Sequence, residues 1–84
     1  MAIPSNITSN YTIKAMEKID KKGPPPKRGA RNWAVLYNGK KYPCKLLISW
    51  ANEYANGSEF NSKLFVTDEA RLYLTSLGFT IIRL

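Results

Sequence analysis

Two short runs of β-branched and aromatic residues flank an Asn-Gly pair in the segment Trp33-Ala34-Val35-Leu36-Tyr37-Asn38-Gly39-Lys40-Lys41-Tyr42-Pro43. An Asn-Gly pair in this setting is typical of a two-residue type I′ β-hairpin, because both turn residues need a positive φ. The turn then fixes the strand register, which pairs Tyr37 with Lys40 and Val35 with Tyr42.

The register also sorts the hairpin side chains onto two faces. One face carries Trp33, Val35, Tyr37, Lys40 and Tyr42, and the other carries Ala34, Leu36 and Lys41. A sheet needs one buried face, so Trp33, Val35 and Tyr42 are expected in the core. Of these aromatic residues, Tyr37 beside the turn is the one most expected to stay exposed.

A helix is predicted before the hairpin, over about Asn10–Lys22, with Ser9 or Asn10 as its N-cap. Its apolar side chains recur at a helical spacing on one side, at Ile13, Met16 and Ile19. Its four lysines lie on a different side, at Lys14, Lys18, Lys21 and Lys22. Gly23 and the three prolines after it are expected to end this helix.

A second helix is predicted directly after the hairpin, from Cys44 to Asn56. Its apolar stripe consists of Leu47, Trp50, Ala51 and Tyr54. The loop of residues 58–66 is expected to anchor onto the core through Phe60, Leu64 and Phe65.

A third helix is predicted to start at Thr67, whose hydroxyl would cap it, and to end before Gly78. Residues 79–84 have the composition of a strand. The order is therefore α-β-β-α-α-β, which predicts a small α+β fold with a three-stranded sheet packed against helices. We expect a flexible leader at residues 1–8 and a single basic domain over residues 9–84.

Composition excludes most catalytic chemistry. The chain of 84 residues has no histidine and one cysteine, Cys44. Histidine-dependent hydrolysis, histidine metal sites, disulfides and cysteine zinc sites therefore cannot form within the chain. The first residues lack a secretory signal, and no apolar run is long enough to span a membrane. These features predict a non-enzymatic, cytoplasmic protein without a cofactor, a metal or a membrane partner.

Positive charge is concentrated in one part of the chain. The formal net charge is +7, and residues 14–45 hold ten of the 13 basic residues but only two acidic ones. Separated charge of this kind attracts a polyanion more effectively than scattered charge does. Six basic residues around the hairpin are candidate phosphate contacts: Lys27, Arg28, Arg31, Lys40, Lys41 and Lys45. Tyr37 is a candidate base or sugar contact.

The chain also resembles a known family over about 70 of its 84 residues. The matching segments are Ile13–Asp20, Gly23-Pro24-Pro25, Tyr37–Lys45, Ile48–Gly57 and Leu77-Gly78-Phe79. They resemble the N-terminal accessory module of McrA-like, modification-directed HNH restriction endonucleases and related defence proteins. Cys44 stands where that family usually has a second proline, and Leu64-Phe65-Val66-Thr67 replaces its Gly-Gly stretch.

The resemblance implies a targeting or accessory role in a restriction or anti-phage system, beside a nuclease domain downstream. Together with the charge distribution, it predicts a module that binds double-stranded DNA, with or without a modified base. Two alternatives are a protein-interaction or self-association module and an RNA or single-strand binder that uses an aromatic sheet face.

Overall fold

The computed structural model describes residues 3–23 and 32–84 of the chain. Its elements are α1 (Ser9–Lys22), β1 (Trp33–Tyr37), β2 (Lys40–Pro43), α2 (Cys44–Asn56), a short 3-10 turn (Ser62–Leu64), α3 (Thr67–Ser76) and β3 (Thr80–Arg83). The predicted α+β class and the order α-β-β-α-α-β are confirmed.

The hairpin forms with the predicted register. Asn38 and Gly39 have φ values of 51° and 77°, as a type I′ turn requires. Val35 pairs with Tyr42, and both side chains are buried. Ala34, on the opposite face, is fully buried as well.

The sheet has the order β2-β1-β3, so the first strand of the chain lies in the middle. β3 pairs antiparallel with β1, which places Arg83 opposite Trp33 and Ile82 opposite Ala34. Each outer strand has only four residues. Strand β1 is therefore paired with β2 on one edge and with β3 on the other.

Helix α2 lies at the centre of the core because it packs against α1, α3 and the sheet. Its buried residues include two polar ones, and both are satisfied by the loop that follows. The Ser49 hydroxyl donates to the Phe60 carbonyl at 2.7 Å, and the Asn52 amide donates to the Ser58 carbonyl at 2.8 Å. Buried polar groups that are paired in this way hold the loop against the helix.

The helix ends differ from the prediction at two places. The N-cap of α1 is Thr8, whose hydroxyl accepts from the Tyr11 amide, and not Ser9 or Asn10. In α3 the N-cap is Val66, and Thr67 is already helical. The Glu69 carboxylate accepts from the Val66 amide in place of the predicted hydroxyl cap.

The observed burial of some side chains also differs from the prediction. Ile3 and Ile7 are buried in the core, and the Tyr73 hydroxyl donates to the Ile7 carbonyl at 2.7 Å. Two side chains of the segment predicted as a leader thus contact the core of the domain. In the loop, Phe65 is buried as expected, whereas Leu64 is exposed.

Candidate nucleic-acid interface

The predicted phosphate contacts divide into two groups. Lys27, Arg28 and Arg31 lie outside the described residues. Lys40, Lys41 and Lys45 lie within them, as does Tyr37.

Tyr37 and Lys45 are both held by neighbours within the fold. The Tyr37 ring is half-buried and packs edge-on against Phe79, with ring centroids 5.9 Å apart, so its exposure is only partial. The Lys45 ammonium donates to the Ser62 carbonyl at 2.6 Å and lies 5.1 Å from the centre of the Phe65 ring. Lys45 thus fastens the loop after α2 and does not join the hairpin tip.

Lys40 and Lys41 are exposed at the hairpin tip, and Lys40 connects that tip to α1. Its ammonium lies 3.4 Å from the carboxylate of Asp20, in the last turn of α1. The same carboxylate accepts from the Tyr42 hydroxyl at 3.0 Å. These two contacts place the C-terminal turn of α1 beside strand β2.

The position of Asp20 brings the α1 lysines to the hairpin. Lys21 and Lys22 follow Asp20 directly, and both are exposed. We define the α1–hairpin surface by five exposed lysines on these two elements: Lys14, Lys21, Lys22, Lys40 and Lys41. The lysine spacing on α1 was visible in the sequence, but the contact with the hairpin was not.

A shallow groove between α1 and α2 continues this surface. It is lined by Lys14, Glu17, Lys18, Lys21, Lys22, Glu53 and Tyr54. Lys18 is fixed in the wall of the groove, because its ammonium lies 2.7 Å from the Glu53 carboxylate and 4.5 Å from the Trp50 ring centre. Lys14 remains exposed, with its ammonium 5.8 Å from the Tyr54 ring centre.

Tyr54 is an exposed aromatic residue in the lysine-lined groove. It was expected in the core stripe of α2, but its side chain is 41% exposed, whereas Leu47, Trp50 and Ala51 are buried. An exposed ring beside lysines can stack on a base or a sugar. Helical periodicity alone does not reveal which turn of a helix leaves the core.

The chemistry of this surface is that of charge contact. Lysine ammonium groups bind phosphate oxygens as point charges and carry no sequence information. The one thiol is buried, and burial raises the pKa of Cys44 to about 11, so the thiolate is a minor form at neutral pH.

Within residues 3–23 and 32–84, no three metal-binding side chains are grouped as a metal site would require. None of the helices in this part of the chain combines the length and apolar character needed to cross a membrane. No protein-family model matches the chain, and neither a curated protein nor a solved structure matches it.

Proposed function

We propose that this chain is a non-enzymatic module that binds double-stranded DNA through the α1–hairpin surface. The observation that carries the proposal is the junction at Asp20, which sets lysines of two separate elements side by side. Five exposed ammonium groups on adjoining elements suit the regularly spaced phosphates of a duplex.

Burial of the aromatic sheet face favours duplex DNA over a single strand. Val35 and Tyr42 are in the core, and Tyr37 packs on Phe79. The sheet therefore offers few free rings on which successive bases could stack. The exposed ring of Tyr54 is the observation that favours the second candidate, a single-strand or RNA binder.

The wider role rests on the family resemblance. We propose that the module works in the cytoplasm as a targeting or accessory part of a modification-dependent restriction or anti-phage system. A nuclease domain would be its partner, and the phosphate contacts would supply affinity for DNA. The segment that holds Lys27, Arg28 and Arg31 would add three further cations to the contact.

Fluorescence anisotropy at several salt concentrations tests this proposal. The labelled probes are matched duplexes with unmodified cytosine, 5-methylcytosine, 5-hydroxymethylcytosine or phosphorothioate linkages, and one single strand. The five lysines of the α1–hairpin surface, if each meets a phosphate, would by themselves make log K fall with log salt with a slope of about −4 to −5. Stronger binding to one modified duplex at high salt would identify the modification that is read.

Two exposed lysines provide a matched pair of variants. Lys41→Gln removes a charge from the α1–hairpin surface, and Lys63→Gln removes one from the 3-10 turn. We expect Lys41→Gln to reduce the salt slope by about one unit and Lys63→Gln to leave it unchanged. Affinity that is independent of salt, or equal effects of both variants, would contradict the proposal. Absence of DNA binding together with a concentration-dependent mass would instead favour self-association.

A further inference from the structure

We propose that Trp33, Arg71 and Arg83 form an anion site that binds a phosphate group and is separate from the α1–hairpin surface. Its three residues come from three elements, β1, α3 and β3. Trp33 starts β1, whereas the hairpin turn follows the other end of that strand, roughly 13 Å away along the backbone.

Two guanidinium groups lie close to the indole ring of Trp33. The guanidinium carbon of Arg71 lies 3.9 Å from the ring centre of Trp33, and that of Arg83 lies 5.7 Å from the same centre. The register of the sheet fixes this arrangement, because Arg83 is the cross-strand partner of Trp33. The fold thus places Arg83 beside the ring, and Arg71 is held there by its contacts with Trp33 and Asp68.

The hydrogen-bond donors of these two arginines are only partly used. One terminal nitrogen of Arg71 donates to Asp68 at 2.6 Å. The Nε–H of Arg71 is buried and has no acceptor among the described residues. The Arg83 guanidinium is exposed and makes no hydrogen bond or ion pair within that part of the chain. The Arg71 guanidinium thus has one carboxylate partner and the Arg83 guanidinium has none within the described ranges, so donors of Arg83 stay available for an anion.

Phosphate is the ligand class that this geometry suits. A guanidinium is a planar fork of N–H donors that matches the oxygens of a phosphate, and tetrahedral phosphate can meet two forks at once. Stacking on an indole fixes the plane of a guanidinium, so less side-chain freedom is lost when the anion binds. Free phosphate and the phosphates of a nucleic acid share this chemistry, and the experiment below separates them.

NMR titration of the whole chain with inorganic phosphate tests the site. The reporters are the indole N–H of Trp33 and the Nε–H signals of Arg71 and Arg83, with the indole of Trp50 as internal control. We expect a saturable shift of the Trp33 and arginine signals, which sodium chloride at equal ionic strength does not reproduce. A signal of Trp50 that stays constant would localise the effect, since Trp50 contacts Lys18 and Glu59 instead.

Three variants assign the effect to the arginine fork. Arg83→Gln should weaken phosphate binding by about tenfold, because it removes a charge-assisted contact. Arg83→Lys keeps the charge without the fork and should lie between Arg83→Gln and the wild type. Lys63→Gln, which removes an equal charge elsewhere, should bind phosphate like the wild type.

Two further titrations distinguish the source of the phosphate. A shift of the same signals with a short duplex would show that the site takes backbone phosphates, and a shift with inorganic phosphate alone would show a site for free phosphate. No saturable shift with either would overturn the proposal and leave the ring and its arginines a purely structural stack. This test is independent of the α1–hairpin surface. Lys41→Gln should weaken DNA binding and leave the titration with inorganic phosphate, followed by the Trp33 and arginine signals, unchanged.

Discussion

The Tyr42 hydroxyl lies 3.0 Å and 3.1 Å from the two carboxylate oxygens of Asp20 and so joins strand β2 to the last turn of α1. Tyr42 is nearly inaccessible to solvent, whereas Asp20 sits at the surface. The same carboxylate also attracts the Lys40 ammonium. One acidic side chain thereby sets the position of Lys21 and Lys22 relative to the hairpin tip.

Removal of the Tyr42 hydroxyl is expected to destabilise the fold. Tyr42→Phe should lower the free energy of unfolding by about 1–2 kcal/mol, because a hydrogen bond to a charged acceptor is lost. Urea unfolding followed by circular dichroism measures the change. Tyr11→Phe is the matched control, since the Tyr11 ring is half-buried and its hydroxyl has no partner among the described residues. Equal stability of the two variants would show that the bond to Asp20 contributes nothing.

Alkaline pH is expected to destabilise the protein through two buried acids. Burial, and then the hydrogen bond to Asp20, raises the pKa of Tyr42 from 10.0 to about 12. Burial likewise raises the pKa of Cys44 from 9.0 to about 11. Because both groups hold their protons more tightly in the folded chain, their contribution is complete below about pH 9 and is lost as the pH rises through about 11 and 12.

Urea unfolding at a series of pH values tests this dependence. The free energy of unfolding should fall from about pH 9 upward, by at most about 1.4 kcal/mol per pH unit for each group. In Cys44→Ala the fall should begin about one pH unit later, since only Tyr42 of this pair remains. A Cys44→Ala curve that runs parallel to the wild-type curve would rule out a contribution from the thiol.

One buried and one exposed leucine allow the effects of core and surface substitutions to be compared. Leu47 is completely buried in α2, and Leu72 in α3 is 65% exposed. Leu47→Ala should cost about 2–5 kcal/mol, because it leaves a cavity where α2 packs in the core. Leu72→Ala should change the free energy of unfolding by no more than about 0.5 kcal/mol. A cost for Leu72→Ala comparable with that for Leu47→Ala would mean that Leu72 is covered in solution, for example by self-association.

The hairpin turn should tolerate substitution at one residue and not at the other. Gly39 has a φ of 77°, and a Cβ added there would meet no atom within 4 Å. The cost of Gly39→Ala is therefore conformational alone, about 1–2 kcal/mol for a left-handed residue with a side chain. Asn38→Gly keeps a residue that accepts positive φ and should cost less than about 1 kcal/mol. Thermal unfolding of both variants measures the difference, and a smaller loss for Gly39→Ala would refute the turn assignment.

The local features of the fold followed from the sequence because local chemistry specifies them. The Asn-Gly pair fixed the register of β1 and β2. Pro43 and Gly57 bound α2 at the predicted residues, since proline favours a helix start and the left-handed glycine ends it. Neither feature needs knowledge of the rest of the chain.

The candidate interface was harder to predict because it depends on contacts between distant segments. Tyr37 is covered by Phe79, which follows α3, and Lys45 is held by a carbonyl of the loop after α2. The α1 lysines are brought beside the hairpin through the contacts of Asp20 with Tyr42 and Lys40. Residue spacing predicts which side chains share a helix face, but not which element lies beside that face.

The strand order also has a consequence for synthesis on the ribosome. The hairpin partner of β1 follows it immediately, but its other partner, β3, pairs Ile82 with Ala34 and is translated after every other described element. Until β3 emerges from the exit tunnel, one edge of β1 has no strand to pair with. Pairing across such a sequence separation is slow compared with formation of a helix or hairpin. We therefore expect α1, α2 and the hairpin to assemble first on the nascent chain, and the sheet to be completed only when residues 80–83 have left the exit tunnel.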